Sequence, residues 1–539
     1  MEQIESYLFM FCVIIAIGQL FRSSAIPIAL ILLIAGVLIS FLPFVPQINL
    51  NPHLVLDIFL PLLVYESSAF SSWRDIKKNI RPIALLSIGH VIFITILVAV
   101  CAHALIPDLG WPLAFILGAA ISPPDDVAIF SIAEHVRIPE RVFVILEGEA
   151  LFNDAMALIF FRFALIALIT HEFSAIAAGT TFFAIIIGET LYGFLLGNLL
   201  GKLRQRLTNP IIHTIASVVT PFLAYIPMVR LGGSGIIATA IVGFIIGNQY
   251  AIRFTPEFRL ISRGIWPALA FALQSLLFFW VGFNIKVFLE GITSLSLSTL
   301  SWYAFVIVAL IITGRFVWEF VAVSFLPRLL FPFWHKHDSP PPWQDLFLIS
   351  WAGMRGSISL AIVLSLPFLS NTQNGVNPRD LVIFLVCCVV IATLVLQGLT
   401  LPWIIKKIGI HQQGQREKYN EHVAELSTRI KMTRSALRWL LDYRTEIKDN
   451  QDMLDEIKVY IRQYKMLLKR LKNSLSKHDL QTLAHNEEEE RTEGTCILLQ
   501  IIEIERKELL KLWRMEKINL FTRNKLMAKL DHQIQNITN

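Results

Sequence analysis

In a chain of 539 residues, a hydrophobic content of 55%, a mean hydropathy of +0.60 and repeated apolar runs of bilayer-spanning length exclude a soluble protein built on one aqueous core. The net charge of +6 is unevenly spread: residues 1–410 hold 23 Lys/Arg and 21 Asp/Glu, and residues 411–539 hold 24 and 20. That shift reads as a polytopic transmembrane domain, 1–410, followed by a charged, water-soluble tail domain, 411–539. Neither part carries a dense basic stripe with interleaved aromatics, which argues against nucleic acid as a partner. The five cysteines lack CxxC or metal-ligand spacing and read as packing thiols.

Taken in order, the apolar runs predict thirteen spanning helices near 7–21, 25–42, 54–70, 82–102, 111–133, 142–169, 174–201, 211–229, 234–249, 265–285, 299–326, 344–367 and 381–405. The opening Met1-Glu-Gln-Ile-Glu lacks the positive region of a cleaved signal, so the first run is read as a retained helix. Loops after odd-numbered segments collect the cations, among them Arg74, Lys77, Lys78, Arg81, Arg253, Arg259 and Arg263. Loops after even-numbered segments hold only Arg230, Lys286 and Arg379. Positive-inside bias therefore puts the N-terminus outside and the tail in the cytoplasm.

Ionisable residues inside spans are expensive, at about 2.5 kcal/mol or more each, and are read first as transport pathways or buried pairs. Segment three carries Glu66. Segment five contains Ser122-Pro-Pro-Asp125-Asp126, whose proline pair removes backbone donors and breaks the helix. Segment six contains Glu147, Glu149, Asn153, Asp154 and Arg162. The i, i+4 spacing of Glu149 with Asn153, beside that of Ala150 with Asp154, makes a polar face. Segment twelve reads Gly353-Met-Arg355-Gly356-Ser-Ile-Ser359, a second break. Breaks in segments five and twelve, seven apart, run in opposite senses, as six-plus-one-plus-six inverted repeats require. Crossing breaks bring four half-helix ends to mid-depth, with Asp125 and Asp126 offsetting a positive end and Arg355 a negative one. Arg315 is expected to face Glu319 one turn later. Asp57, Glu189 and Arg162 receive no role from the pattern.

Glu147-Gly-Glu-Ala-Leu-Phe-Asn153-Asp154-Ala, Ser122-Pro-Pro-Asp-Asp-Val-Ala, Gly353-Met-Arg-Gly356, Arg315-Phe-Val-Trp318 and Leu396-Gln-Gly-Leu-Thr-Leu-Pro402 together resemble the signatures of the monovalent cation:proton antiporter-1 family, the NhaP/NHE-type sodium/proton exchangers. The resemblance covers residues from about 54 to 410. It implies exchange of cytoplasmic Na+, Li+ or K+ against H+, a core that rocks against a dimerisation part, and a homodimer. It further implies that Asp154 binds cation and proton in turn with Asn153 beside it. Glu66 falls where the family has a second acidic group near the ion, and Glu149 with Arg355 matches a buried bracing pair. Two departures stand out. Ala150 replaces a common serine, so another oxygen must serve in its place. Pro124-Asp125-Asp126 stands where Thr-Asp-Pro is usual.

Na+ is a hard ion that takes oxygen ligands, for which the residues offer Asp154, Asn153, Asp125, Asp126 and Ser122 and the resemblance adds Glu66. One carboxylate holds a proton or a cation but not both, which predicts electroneutral one-for-one exchange. A proton-coupled carrier of an organic solute, or a gated channel or receptor with a sensing tail, stays open as an alternative. No Ser/His/Asp arrangement, zinc motif or P-loop points to an enzyme or to a resident cofactor. In the tail, runs near 415–448, 451–475 and 497–530 place apolar residues at three- and four-residue spacing, which predicts a helical bundle.

Overall fold

The computed structural model describes residues 2–21, 27–41, 55–107, 109–125, 138–171, 175–290, 292, 295–325, 342–367, 377–446, 451–477 and 494–538, and these hold helices without a strand. Seven of the described helices are long and apolar enough to cross a bilayer, and four shorter ones are apolar as well. Lipid offers no hydrogen bonds to backbone groups, so a helix, which satisfies its own, is the form these runs must take. Two compact units result: residues 1–204, 215–248 and 265–414 make the first, and 205–214, 249–264 and 415–539 the second.

The first unit opens with α1 (Glu2–Leu20), α2 (Ile28–Ser40), α3 (Leu60–Phe70) and the short α4 (Trp73–Lys78). Then come α5 (Ile80–Leu105), α6 (Trp111–Ile121), α7 (Glu140–Thr170), α8 (Ala175–Arg204) and α9 (Pro210–Arg230). Beyond them lie α10 (Ile236–Arg253), α11 (Pro256–Glu290), α12 (Leu297–Val317), α13 (Trp343–Trp351), α14 (Ser357–Leu364) and α15 (Pro378–Lys407). Local chemistry sets several ends. Ser72, Ser296 and Asn377 accept backbone N–H groups at the starts of α4, α12 and α15, and Pro112 and Pro378 sit in first turns where no donor is lost.

One continuous apolar core runs through α5, α6, α7, α13, α14 and α15. Small residues let backbones approach: a side chain at Gly118 of α6 would strike the Thr95 backbone of α5. By contrast, α8 leaves Ile176, Phe183, Ile187 and Leu191 exposed, as suits a helix with apolar solvent on one side.

Two of the unassigned charges become structural here. The Glu189 carboxylate accepts from Ser234 Oγ (3.0 Å) and from the N–H groups of Gly235 (2.8 Å), Ile237 (3.1 Å) and Ala238 (3.4 Å). It therefore caps the positive end of α10. Arg162 donates to the Gly233 carbonyl just ahead of the same helix.

The second unit contains the tail helices α16 (Ile410–Glu446), α17 (Gln451–Lys477), α18 (Gly494–Arg514) and α19 (Leu520–Thr538), packed through Leu440, Ile457, Ile501, Leu509, Leu512 and Leu526. Residues 205–214 and 249–264, placed in the membrane part by sequence, cluster instead with these helices. The reason is a buried pair: Arg259 donates to both Asp531 carboxylate oxygens and to Phe254 O (2.7 Å), while His213 stacks on Phe258 at 3.8 Å. Arg259, which the loop pattern counts as a surface cation, is thus fully buried.

Candidate functional site

Both predicted interruptions lie in described residues on at least one side. α6 stops at Ile121, ahead of Pro123 and Pro124, and α13 and α14 are separated by the non-helical stretch from Ala352 to Gly356. The two breaks touch, since the Asp125 N–H donates to the Met354 carbonyl at 2.7 Å.

Arg355 serves this crossing. Its Nε donates to Ile121 O (2.5 Å) and its Nη1 to Gly353 O (2.6 Å), while its N–H donates to Thr393 Oγ1 (3.1 Å). One guanidinium thus meets carbonyls at the negative ends of both α6 and α13. Asp125 is half-buried with its carboxylate against Gly356, the residue that starts α14; a side chain at Gly356 would occupy the carboxylate's place. An acid therefore faces a positive helix end and a base the negative ends.

Asp154, on α7, is 8% exposed. With Asp125 it lines a cavity of about 20 Å³ whose other walls are Pro123, Pro124, Ala150, Gly356, Ile358 and Ser359. Asn153 is fully buried, and its Nδ2 donates to Pro124 O at 3.1 Å, tying α7 to the break. Asn153 Oδ1 and Ser359 Oγ are both buried with no hydrogen-bond partner among the described residues. Oxygen is thus the ligand on offer, which suits a hard monovalent cation.

The remaining candidates are placed differently. Ser122 is buried but donates to Ala119 O (3.0 Å) and is not among the cavity's lining residues. Glu66 lies on α3 within electrostatic reach of Glu147, which accepts from Ser71 Oγ at 2.7 Å, and the cavity does not include it. Asp126 falls outside the described residues.

The expected Glu149–Arg355 pair is corrected. Glu149 is held by Arg315, whose Nη1 and Nη2 donate to Oε1 and Oε2 at 2.6 and 2.8 Å, with both side chains 1% exposed. Arg315 Nε also reaches Ile349 O at 3.1 Å. A planar guanidinium matches a carboxylate two-to-two, and Arg355 is already committed to the helix ends. The local Arg315–Glu319 pair is electrostatic only: Glu319 is buried within electrostatic reach of Arg315, and neither of its oxygens has a hydrogen-bond partner among the described residues. Sequence reasoning passed over Ser359, whose only signal is its position three residues into the helix that follows Gly356.

The sodium/hydrogen exchanger transmembrane family matches residues 8–407. The chain is 31% identical to the Na+/H+ antiporter ApNhaP of Aphanothece halophytica over 79% of each chain. It is 30% identical to the low-affinity Na+/H+ antiporter NhaS1 of Synechocystis over 86% of this chain and 88% of that one. Among solved structures, the sodium proton antiporter MjNhaP1 of Methanocaldococcus jannaschii shares the fold, with a TM-score of 0.59 at 17% identity over 76% of this chain and 99% of the other.

Proposed function

The chain belongs to the sodium/hydrogen exchanger family, and from that premise we propose that it exchanges Na+, or Li+ or K+, for H+ across the cell membrane by alternating access. The observation that carries the reading is the meeting of Asp154 and Asp125 in one cavity where two interrupted helices touch. A volume of about 20 Å³ has room for about one water-sized occupant, which supports an inorganic cation over an organic solute.

Asp154 binds the cation or the proton, with Asn153 Oδ1 and Asp125 completing the oxygen set. The core moves when the Asp154 charge is neutralised by either occupant, because a bare anion crossing an apolar gate carries a prohibitive cost. Each cycle then moves one cation against one proton. Glu66, facing Glu147, belongs to the cytoplasmic approach. The membrane domain makes thirteen crossings in six-plus-one-plus-six repeats, with the N-terminus outside, the tail in the cytoplasm, and two copies in the working assembly.

Inverted vesicles test this. Adding Na+, Li+ or K+ is expected to dequench a pH dye, and Asp154→Asn is expected to abolish the signal at unchanged expression. An undiminished response in that variant removes Asp154 from the mechanism. In proteoliposomes an imposed membrane potential is expected to leave the rate unchanged, whereas a current that follows the Na+ gradient overturns the one-for-one stoichiometry.

A further inference from the structure

We propose that Ser359 Oγ is a ligand of the transported cation and stands in for the hydroxyl that Ala150 lacks. The inference rests on the cation site proposed above. Ala150 and Ser359 are both walls of the cavity that holds Asp154 and Asp125. At about 20 Å³ that cavity has room for about one water-sized occupant, so an ion inside it sits close to the walls that α7 and α14 both contribute. A hydroxyl delivered from α14 therefore reaches the same ion as one delivered from α7.

The alternative is an ordinary buried helix serine, which turns its hydroxyl back to the carbonyl three or four residues earlier. Other buried or half-buried serines here do so: Ser68 donates to Val64 O (2.7 Å), Ser350 to Leu346 O (2.8 Å) and Ser365 to Ile362 O (2.6 Å). Ser359 does not. Of the two carbonyls within its reach, that of Arg355 lies in the non-helical break and that of Gly356 accepts the Leu360 N–H (3.4 Å). Ser359 is 1% exposed, and its buried Oγ has no hydrogen-bond partner among the described residues. A desolvated hydroxyl without a partner costs about 1–3 kcal/mol, and a cation in the shared cavity would relieve that cost.

The hydroxyl also bears on ion choice. A smaller ion meets each oxygen at shorter range and more strongly, so losing one ligand penalises Li+ and Na+ more than K+. Removing a hydroxyl that has no protein partner should leave the cation-free fold at least as stable as before, which separates ligation from a packing role.

The test uses full-length protein in inverted vesicles and in detergent. Ser359→Ala is expected to raise the apparent KM for Na+ by about fivefold or more, the size of one lost oxygen contact, at unchanged maximal rate. Its melting temperature without Na+ is expected to equal or exceed the parent's, and the stabilisation that Na+ gives the parent is expected to shrink. Adding Ala150→Ser to Ser359→Ala is expected to return the KM to within about twofold of the parent, as one restored contact requires. An unchanged KM in Ser359→Ala, or a lower maximal rate and melting temperature without a KM change, overturns the assignment. Should Ser359→Ala fail to accumulate, the near-isosteric pair Ser359→Thr and Ser359→Val decides: equal KM values overturn it, and a higher KM for Val supports it. If the parent itself gives no cation-dependent signal, the exchanger reading falls first and is distinguished from failure of the ligand assignment.

Discussion

Several charged side chains in the membrane unit find partners far away in sequence. Arg315 holds Glu149 two-to-two, Arg355 gathers the carbonyls of Ile121 and Gly353, and Glu189 caps α10. Breaking a buried pair strands a charge and costs about 3–5 kcal/mol, whereas replacing both partners with apolar side chains costs much less. We therefore expect Glu149→Gln and Arg315→Met each to lower the melting temperature sharply, and the double variant to recover most of the loss. A double-mutant cycle is expected to give strong coupling for Glu149 with Arg315 and weak coupling for Glu149 with Arg355. The opposite ranking would reinstate the pairing that sequence suggested. That suggestion failed because a family motif identifies which charges are buried without fixing which of two guanidinium groups each carboxylate meets.

At the level of elements, the site is made by interruptions more than by helices. Pro123 and Pro124 end α6, Gly353 and Gly356 frame the gap between α13 and α14, and the gaps touch through the Asp125 N–H and the Met354 carbonyl. Sequence located both breaks because proline and glycine act locally. Their contact was an expectation of symmetry, and it depends on close approach. Gly356 permits that approach, since a β-carbon there would overlap the Asp125 carboxylate. Gly356→Ala is therefore expected to abolish cation-dependent dequenching while the protein still inserts and is recovered at comparable yield. Transport at the parental KM in that variant would mean that Asp125 does not sit against the start of α14 during turnover.

The molecule as a whole joins an apolar unit to a charged helical one, and the second has its own proton chemistry. In the tail, burial pushes the Glu505 carboxyl up from its ordinary 4.5 to about 7, against the pull of the Arg429 guanidinium. Glu505 and Lys529 line a cavity of about 40 Å³ with Arg429 and Thr433. Because the folded state holds the proton more tightly than the unfolded chain, Glu505 favours folding fully below about 4.5, and that contribution is lost as pH rises to about 7. The loss is on the order of 3 kcal/mol. Hydrogen exchange of α18 in the intact protein is expected to speed up between pH 5 and 7.5, after correction for intrinsic rates. Glu505→Gln is expected to flatten that dependence, and an unaltered dependence would assign it to another group.

The amino-acid sequence by itself determined the membrane class, the helical runs, the position of both breaks and the acidic residues of segment six, because hydropathy and helix interruption are properties of neighbouring residues. Only the tertiary structure decided that Glu149 meets Arg315, that Arg259 is buried against Asp531, and that Ser359 faces the same cavity as Asp154. Those contacts depend on how each helix is rotated and how far it slides against its neighbours, which is set by packing across the whole bundle.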